Sequence, residues 1–109
     1  MSYDEGLADL MRGDLAETPG IAEKRMFGGL AFMLDGNMLC GVHPGGAMYR
    51  VGKDNEPFAL AIPGARKMTF TGRRMGGFVE LDDEAMADDT CRRRVLDLAF
   101  DFIRALPAK

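Results

Sequence analysis

The sequence predicts an α+β domain with helices over one face of an antiparallel sheet, in the order helix, three-strand antiparallel meander, helix, two strands and long C-terminal helix. Three observations predict it. Apolar residues recur at three and four residue steps near both ends of the chain. Between them, short apolar runs alternate with Gly-rich turns. Those turns are too short for the crossovers that parallel strands require, so neighbouring strands must be antiparallel.

The chain of 109 residues is expected to form one domain over 1–109, with a single core. With 47% hydrophobic and 28% charged residues, it has enough apolar surface to fold. The first helix is expected from Asp4 to about Glu17, with Leu7, Leu10, Met11 and Leu15 on one side. Thr18-Pro19-Gly20 ends it, because a residue before proline avoids the helical region. Ile21 to Lys24 reads either as a brief helical turn or as a lead into the sheet.

Leu30 to Leu34 is the first expected strand, Asp35-Gly36-Asn37 a hairpin signal, and Met38 to His43 the second strand. Pro44-Gly45-Gly46 turns the chain into a third strand, Ala47 to Val51. Asp54 or Asn55 can cap a short helix through Phe58, Leu60 and Ile62, which Pro63-Gly64 stops. Met68 to Thr71 and Phe78 to Leu81 are the last two strands, joined through a turn at Gly72-Arg73-Arg74. In the final helix Val95, Leu98, Ala99, Phe102 and Leu106 define the apolar stripe, widened by Leu96 and Ile103. Acidic residues from Asp82 to Asp89 precede Arg92, Arg93 and Arg94, an order that suits the helix dipole. The spacing also predicts the pairs Asp88 with Arg92 and Asp89 with Arg93 on a solvated face.

One phrase is written nearly twice. Lys24-Arg25-Met26-Phe27-Gly28-Gly29-Leu30 is echoed by Arg73-Arg74-Met75-Gly76-Gly77-Phe78. Adjacent glycines let a backbone or an anion approach closely, and Lys24, Arg25, Arg73 and Arg74 would add charge if both copies shared one rim. Lys24, Arg25, Gly28, Gly29, Arg73, Arg74, Gly76 and Gly77 are therefore the candidate binding residues for a partner or an anion. The competing reading makes the glycines bulges or tight bends in twisted strands. Neither Gly-Gly pair has a Walker ending or Rossmann spacing, which argues against ATP or dinucleotide cofactors.

No catalytic constellation is expected. Cys40 and His43 lie three residues apart on one strand, so alternation points them to opposite faces. Cys40 and Cys91 lack a paired spacing and read as buried, reduced thiols rather than metal ligands. The acidic run lacks the alternation of a calcium loop and reads as helix capping, so neither a metal nor a cofactor is expected. A net charge of -3 argues against broad nucleic-acid binding, although a local basic patch at Lys24, Arg25, Arg73, Arg74 and Arg92 to Arg94 keeps that alternative open. No stretch reaches the roughly 18 apolar residues of a membrane span, and a cytoplasmic location is expected.

The run Lys24 to Phe32 with Asn37 to Val42, continued by Pro63-Gly64-Ala65-Arg66, Phe70-Thr71-Gly72-Arg73, Met75-Gly76-Gly77-Phe78 and Leu106-Pro107, resembles the TfoX/Sxy N-terminal domain family over nearly the whole chain. The resemblance implies a bacterial protein related to regulators of natural competence, which act in transcription with a cyclic-AMP receptor protein. It also implies a secretion-chaperone-like α+β fold. Full-length members carry a second, C-terminal domain similar to helix-hairpin-helix modules, so a stand-alone first domain is expected and DNA contact is not carried over. The expected function is a non-enzymatic regulatory or protein-interaction domain, monomeric or homodimeric, whose partner is another protein. Direct nucleic-acid binding is the first alternative, and a small-molecule pocket using Cys40 or His43 the second.

Overall fold

The computed structural model describes residues 3–26, 28–70 and 72–107, with the side chains of Phe70 and Arg74 excepted. Phe27 of the first phrase, Thr71 at the expected end of the fourth strand, and the Arg74 side chain thus lie outside the described residues. The elements are α1 (Glu5–Asp14), β1 (Ile21–Met26), β2 (Gly29–Leu34), β3 (Asn37–His43), β4 (Gly46–Arg50), α2 (Glu56–Leu60), β5 (Ala65–Phe70), β6 (Arg73–Leu81), α3 (Asp83–Ala87) and α4 (Asp89–Arg104). The strands form one six-stranded sheet in the order β1-β2-β3-β4-β6-β5, and every neighbouring pair is antiparallel. This is the expected α+β layout with two additions, β1 and α3.

The Asp4 side chain starts α1 by accepting from the N–H groups of Gly6, at 2.8 Å, and Leu7. Leu7, Ala8, Met11 and Leu15 then bury against the sheet. β1 extends the meander at its outer edge, where the expected helical turn or lead-in would have stood. Ala22, Glu23, Lys24 and Arg25 are all exposed, so β1 is held by its ladder with β2 rather than by a buried face. Arg12 ties it to α1: its Nε donates to Glu23 Oε2 at 2.7 Å and holds that carboxyl below the usual carboxylate range.

At the β2–β3 hairpin, Asp35 and Gly36 both have positive φ, 51° and 86°, which matches the right-handed twist of the flanking strands. Phe32 pairs with Cys40 and Met33 with Met38, leaving Leu39 as an extra residue in β3. That bulge lets the consecutive residues Leu39 and Cys40 both join the core. Tyr49 and Val51 continue the core along β4 and its exit beneath α4, and Val79 and Leu81 along β6 beside α2 and α3.

The buried side of α4 is Arg92, Val95, Leu96, Ala99, Phe100 and Ile103. It is rotated from the expected stripe, because Leu98, Phe102 and Leu106 pack only at its margin. The acidic run divides into two caps. Asp82 accepts from Ala85 N–H at 2.8 Å and starts α3, and Asp88 accepts from Thr90 N–H at 2.8 Å and starts α4. Asp88 is therefore not paired with Arg92, nor Asp89 with Arg93: Arg92 bonds Asp14 and Asp89, and Arg93 bonds Asp97 at 3.1 Å. Arg92, expected on a solvated face, is 5% exposed. Among the described residues no helix is long and apolar enough to cross a membrane.

Candidate binding cleft at the second Gly-Gly phrase

The two copies of the repeated phrase solve two different backbone problems. In the first, Met26 pairs with Gly29 across the β1–β2 turn, and Gly28 takes a φ of 72°. Gly29 lies so close to β3 that a Cβ there would overlap the Val42 carbonyl oxygen and stand 2.9 Å from His43 Cα. The second copy lies inside β6, where Lys67 pairs with Val79 but Thr69 with Arg74. The register slips because β6 carries extra residues around Gly76-Gly77, which is the expected bulge. Arg73 and the Arg74 backbone, expected in a turn, belong to this strand.

Pairing fixes where the copies stand. β4 begins beside His43 and ends at Arg50, opposite Phe78. Gly29 packs at the His43 end, whereas Gly76 and Gly77 continue beyond the Arg50 end. β3 and β4 lie between them in the sheet. Lys24, Arg25, Gly28 and Gly29 thus share an edge hairpin, while Arg73, Gly76 and Gly77 share the far end of β6. No common rim forms.

The second copy has a local site of its own. Gly77, with a φ of 84°, donates its N–H to Glu56 Oε2 at 2.7 Å and accepts from the N–H groups of Val51 and Gly52 at 2.9 and 3.0 Å. These bonds fasten the bulge to the chain leaving β4 and to the start of α2. Beside it opens a cleft of about 590 Å³ lined by Arg50, Gly52, Lys53, Gly76, Asp101 and Phe102, among others. Its wall is the Phe102 ring, which packs against Gly52 and lies 5.4 Å from the Arg50 guanidinium carbon. Lys53 lies over Gly76, where a Cβ would come within 3.2 Å of its Cε. Among the described residues neither Arg50 nor Lys53 has an ion-pair partner, while Asp101 accepts a hydrogen bond from Asn55 at 3.3 Å. Arg50, Lys53 and Phe102 were not legible as site residues, because only tertiary packing brings them to the glycines.

The candidate reactive side chains are occupied elsewhere. Cys40 joins the core beneath the helices and His43 points to the other face, as alternation predicts. Gly45 N–H donates to His43 Nδ1 at 3.1 Å, which leaves the ring proton on Nε2 to donate to Glu80 Oε2 at 2.9 Å. Glu80 also accepts from Arg66 Nε at 3.0 Å, so the triad is a strut from β3 over β4 to β6 and β5, with both ring nitrogens bonded. His43 and Glu80 are 37 residues apart, and no spacing rule links them. Burial, followed by the Asp14 charge, pushes the Cys40 thiol well above its ordinary value. In native protein, maleimide is expected to label the half-buried Cys91, with Cys40 labelled only after urea unfolds the chain. Mass mapping checks this; native labelling of Cys40 would contradict its place in the core.

The model for the TfoX N-terminal domain matches residues 14–103. The chain belongs to the TfoX N-terminal domain family. No curated protein and no solved structure matches it. Both Gly-Gly phrases lie within the matched span of this TfoX N-terminal domain, so its glycines have a physical reading: one pair closes a hairpin against β3, and the other folds a bulge against β4. The span begins at Asp14, the residue through which α1 is bonded to Arg92 of α4.

Proposed function

We propose that this TfoX N-terminal domain is a non-enzymatic regulatory module of the cytoplasm that binds a protein partner at the cleft beside Gly76-Gly77. The observation that carries the reading is a pair of cations, Arg50 and Lys53, flanking an open cleft floored by glycine backbone, with no ion-pair partner among the described residues. Exposed Arg73 extends the basic rim along β6. An acidic, extended segment of a partner would meet these cations across the glycine floor. The regulatory part of the reading rests on the family, and its non-enzymatic part on the bonded His43 ring and the buried Cys40.

Affinity capture followed by titration with the recovered partner tests the cleft. Lys53→Glu with Arg73→Glu is expected to weaken the complex at least tenfold, about 1.4 kcal/mol, while leaving the circular dichroism spectrum unchanged. Arg25→Glu, at the opposite end of the sheet, is expected to have no effect. The reverse result would move the site to the β1–β2 hairpin. Asp54 and Asp101 also line the cleft and dilute its field, which disfavours a nucleic-acid backbone as the ligand. Salt-sensitive gel shifts abolished by Lys53→Glu would restore that alternative.

A further inference from the structure

On the helical side, a second groove of about 610 Å³ runs between α2 and α4, lined by Pro57, Phe58, Ile62, Arg94, Asp97 and Leu98, among others. Phe58 stands at its rim 66% exposed, the one large apolar side chain left so exposed among the described residues. An apolar anchor next to an apolar groove is a self-complementary arrangement, because a twofold axis beside them seats each anchor in the other copy's groove.

The charge order on the exposed flank of α4 points the same way. Asp89 stands in its first turn, Arg93 and Arg94 follow, then Asp97 and Asp101, with Arg104 in the last turn. The ends suit the helix dipole, but the four inner charges are in the poorer order within one helix. Arg93 precedes its partner Asp97 by four residues, the weaker orientation for such a pair, and Asp101 sits in the last turn, near the negative end of the dipole. Against an antiparallel second copy the order becomes favourable, since the basic pair of each copy then faces the acidic pair of the other, and Asp89 faces Arg104. Arg94 has no ion-pair partner among the described residues and is free to take that role.

We infer that the chain forms a twofold dimer along α4, with Phe58 of each copy seated in the other's α2–α4 groove and Arg93 and Arg94 facing Asp97 and Asp101 across the axis. A helix of 16 residues is about 24 Å long, so the contact falls at the small end of specific interfaces and association is expected in the micromolar range. The dimer and the cleft share Asp101, but Lys53 and Arg73, whose exchange tests the cleft, are not part of this groove, so the two tests fail separately.

Sedimentation velocity from about 1 to about 500 μM tests it. The native chain is expected to shift from 11.9 kDa toward twice that mass, and Phe58→Ser to weaken the association at least tenfold. A charge exchange gives the stricter test. Arg93→Glu with Arg94→Glu makes positions 93, 94, 97 and 101 all acidic, and Asp97→Lys with Asp101→Lys makes them all basic, with Asp89 and Arg104 unchanged in both. Each variant alone is expected to remain monomeric, and the equimolar mixture to dimerise, which also shows that both variants are folded. A native chain that stays monomeric throughout, a dimer indifferent to Phe58→Ser, or a mixture that does not pair would each overturn the proposal.

Discussion

Gly29→Ala is expected to destabilise the domain by at least about 3 kcal/mol, lowering the midpoint of thermal unfolding by roughly 12 °C or more. The new methyl group would overlap the Val42 carbonyl oxygen and press on His43 Cα, and both obstacles are main chain. A flexible side chain could swing away; a strand inside a ladder cannot. β3 is held on one side by β2 and on the other by β4, and His43 is bonded to Glu80 and Gly45. Relief would require opening the β2–β3 pairing at the end where the first phrase closes its hairpin. Gly13→Ala is the matched control, since nothing lies within 4 Å of that position in α1 and its conformation suits any residue. It should stabilise by roughly 0.5–1 kcal/mol through the helix preference of alanine. Urea denaturation of both variants reads the contrast, and a Gly29→Ala chain as stable as the native one would show that β2 and β3 are not so closely packed there.

Arg92→Ala is the second large effect, at about 3 kcal/mol. Arg92 donates to Asp14 Oδ2 at 2.9 Å and to the Met86 carbonyl at 2.6 Å, and also bonds Asp89. It therefore joins the end of α1, the end of α3 and the start of α4 through one buried guanidinium. Truncation leaves the Asp14 carboxylate and the Met86 carbonyl without their donor, and breaking a buried pair in this way costs about 3–5 kcal/mol. The lower end applies because the Asp14 side chain is 23% exposed and water can reach it. Asp14→Leu with Arg92→Met removes both charges and should recover most of the loss, which a merely additive pair of substitutions would not.

Asp14 raises the Arg92 pKa above its ordinary value. A cation whose pKa is raised on folding contributes stability below its unfolded pKa and loses it only as pH rises through the folded value. For arginine that window lies beyond the alkaline range in which proteins stay folded, so this link should hold constant strength between about pH 5 and pH 9. Unfolding free energies of native protein and Arg92→Ala across that range check it. A difference that varied strongly with pH would mean that the guanidinium is not the group that matters.

The parts of the fold legible in the sequence were those whose cause is local. Asp35-Gly36 turns the chain because two adjacent residues accept positive φ, and the acidic run starts α4 because the Asp88 carboxylate reaches N–H groups two and three residues on, whereas α3, which Asp82 starts, was not expected. β1 was hidden for the opposite reason. With both faces exposed it has no apolar alternation, and its six residues are a strand only because β2 pairs with them. The α4 stripe was misplaced by rotation, since a buried arginine reads as solvent-facing unless Asp14, 78 residues away, is known to meet it.

For the candidate site the division is similar. By itself the sequence determined the α+β class, the antiparallel meander, the family and the presence of two Gly-Gly phrases that required unusual backbone, because glycine's missing Cβ acts at the residue where it is written. Only the tertiary structure decided that the phrases stand at opposite ends of the sheet, that the second gathers Arg50, Lys53 and Phe102 into a cleft, and that Phe58 borders a groove. Strand order and helix rotation are set by burying the whole core at once, and neither is carried by any short stretch of residues.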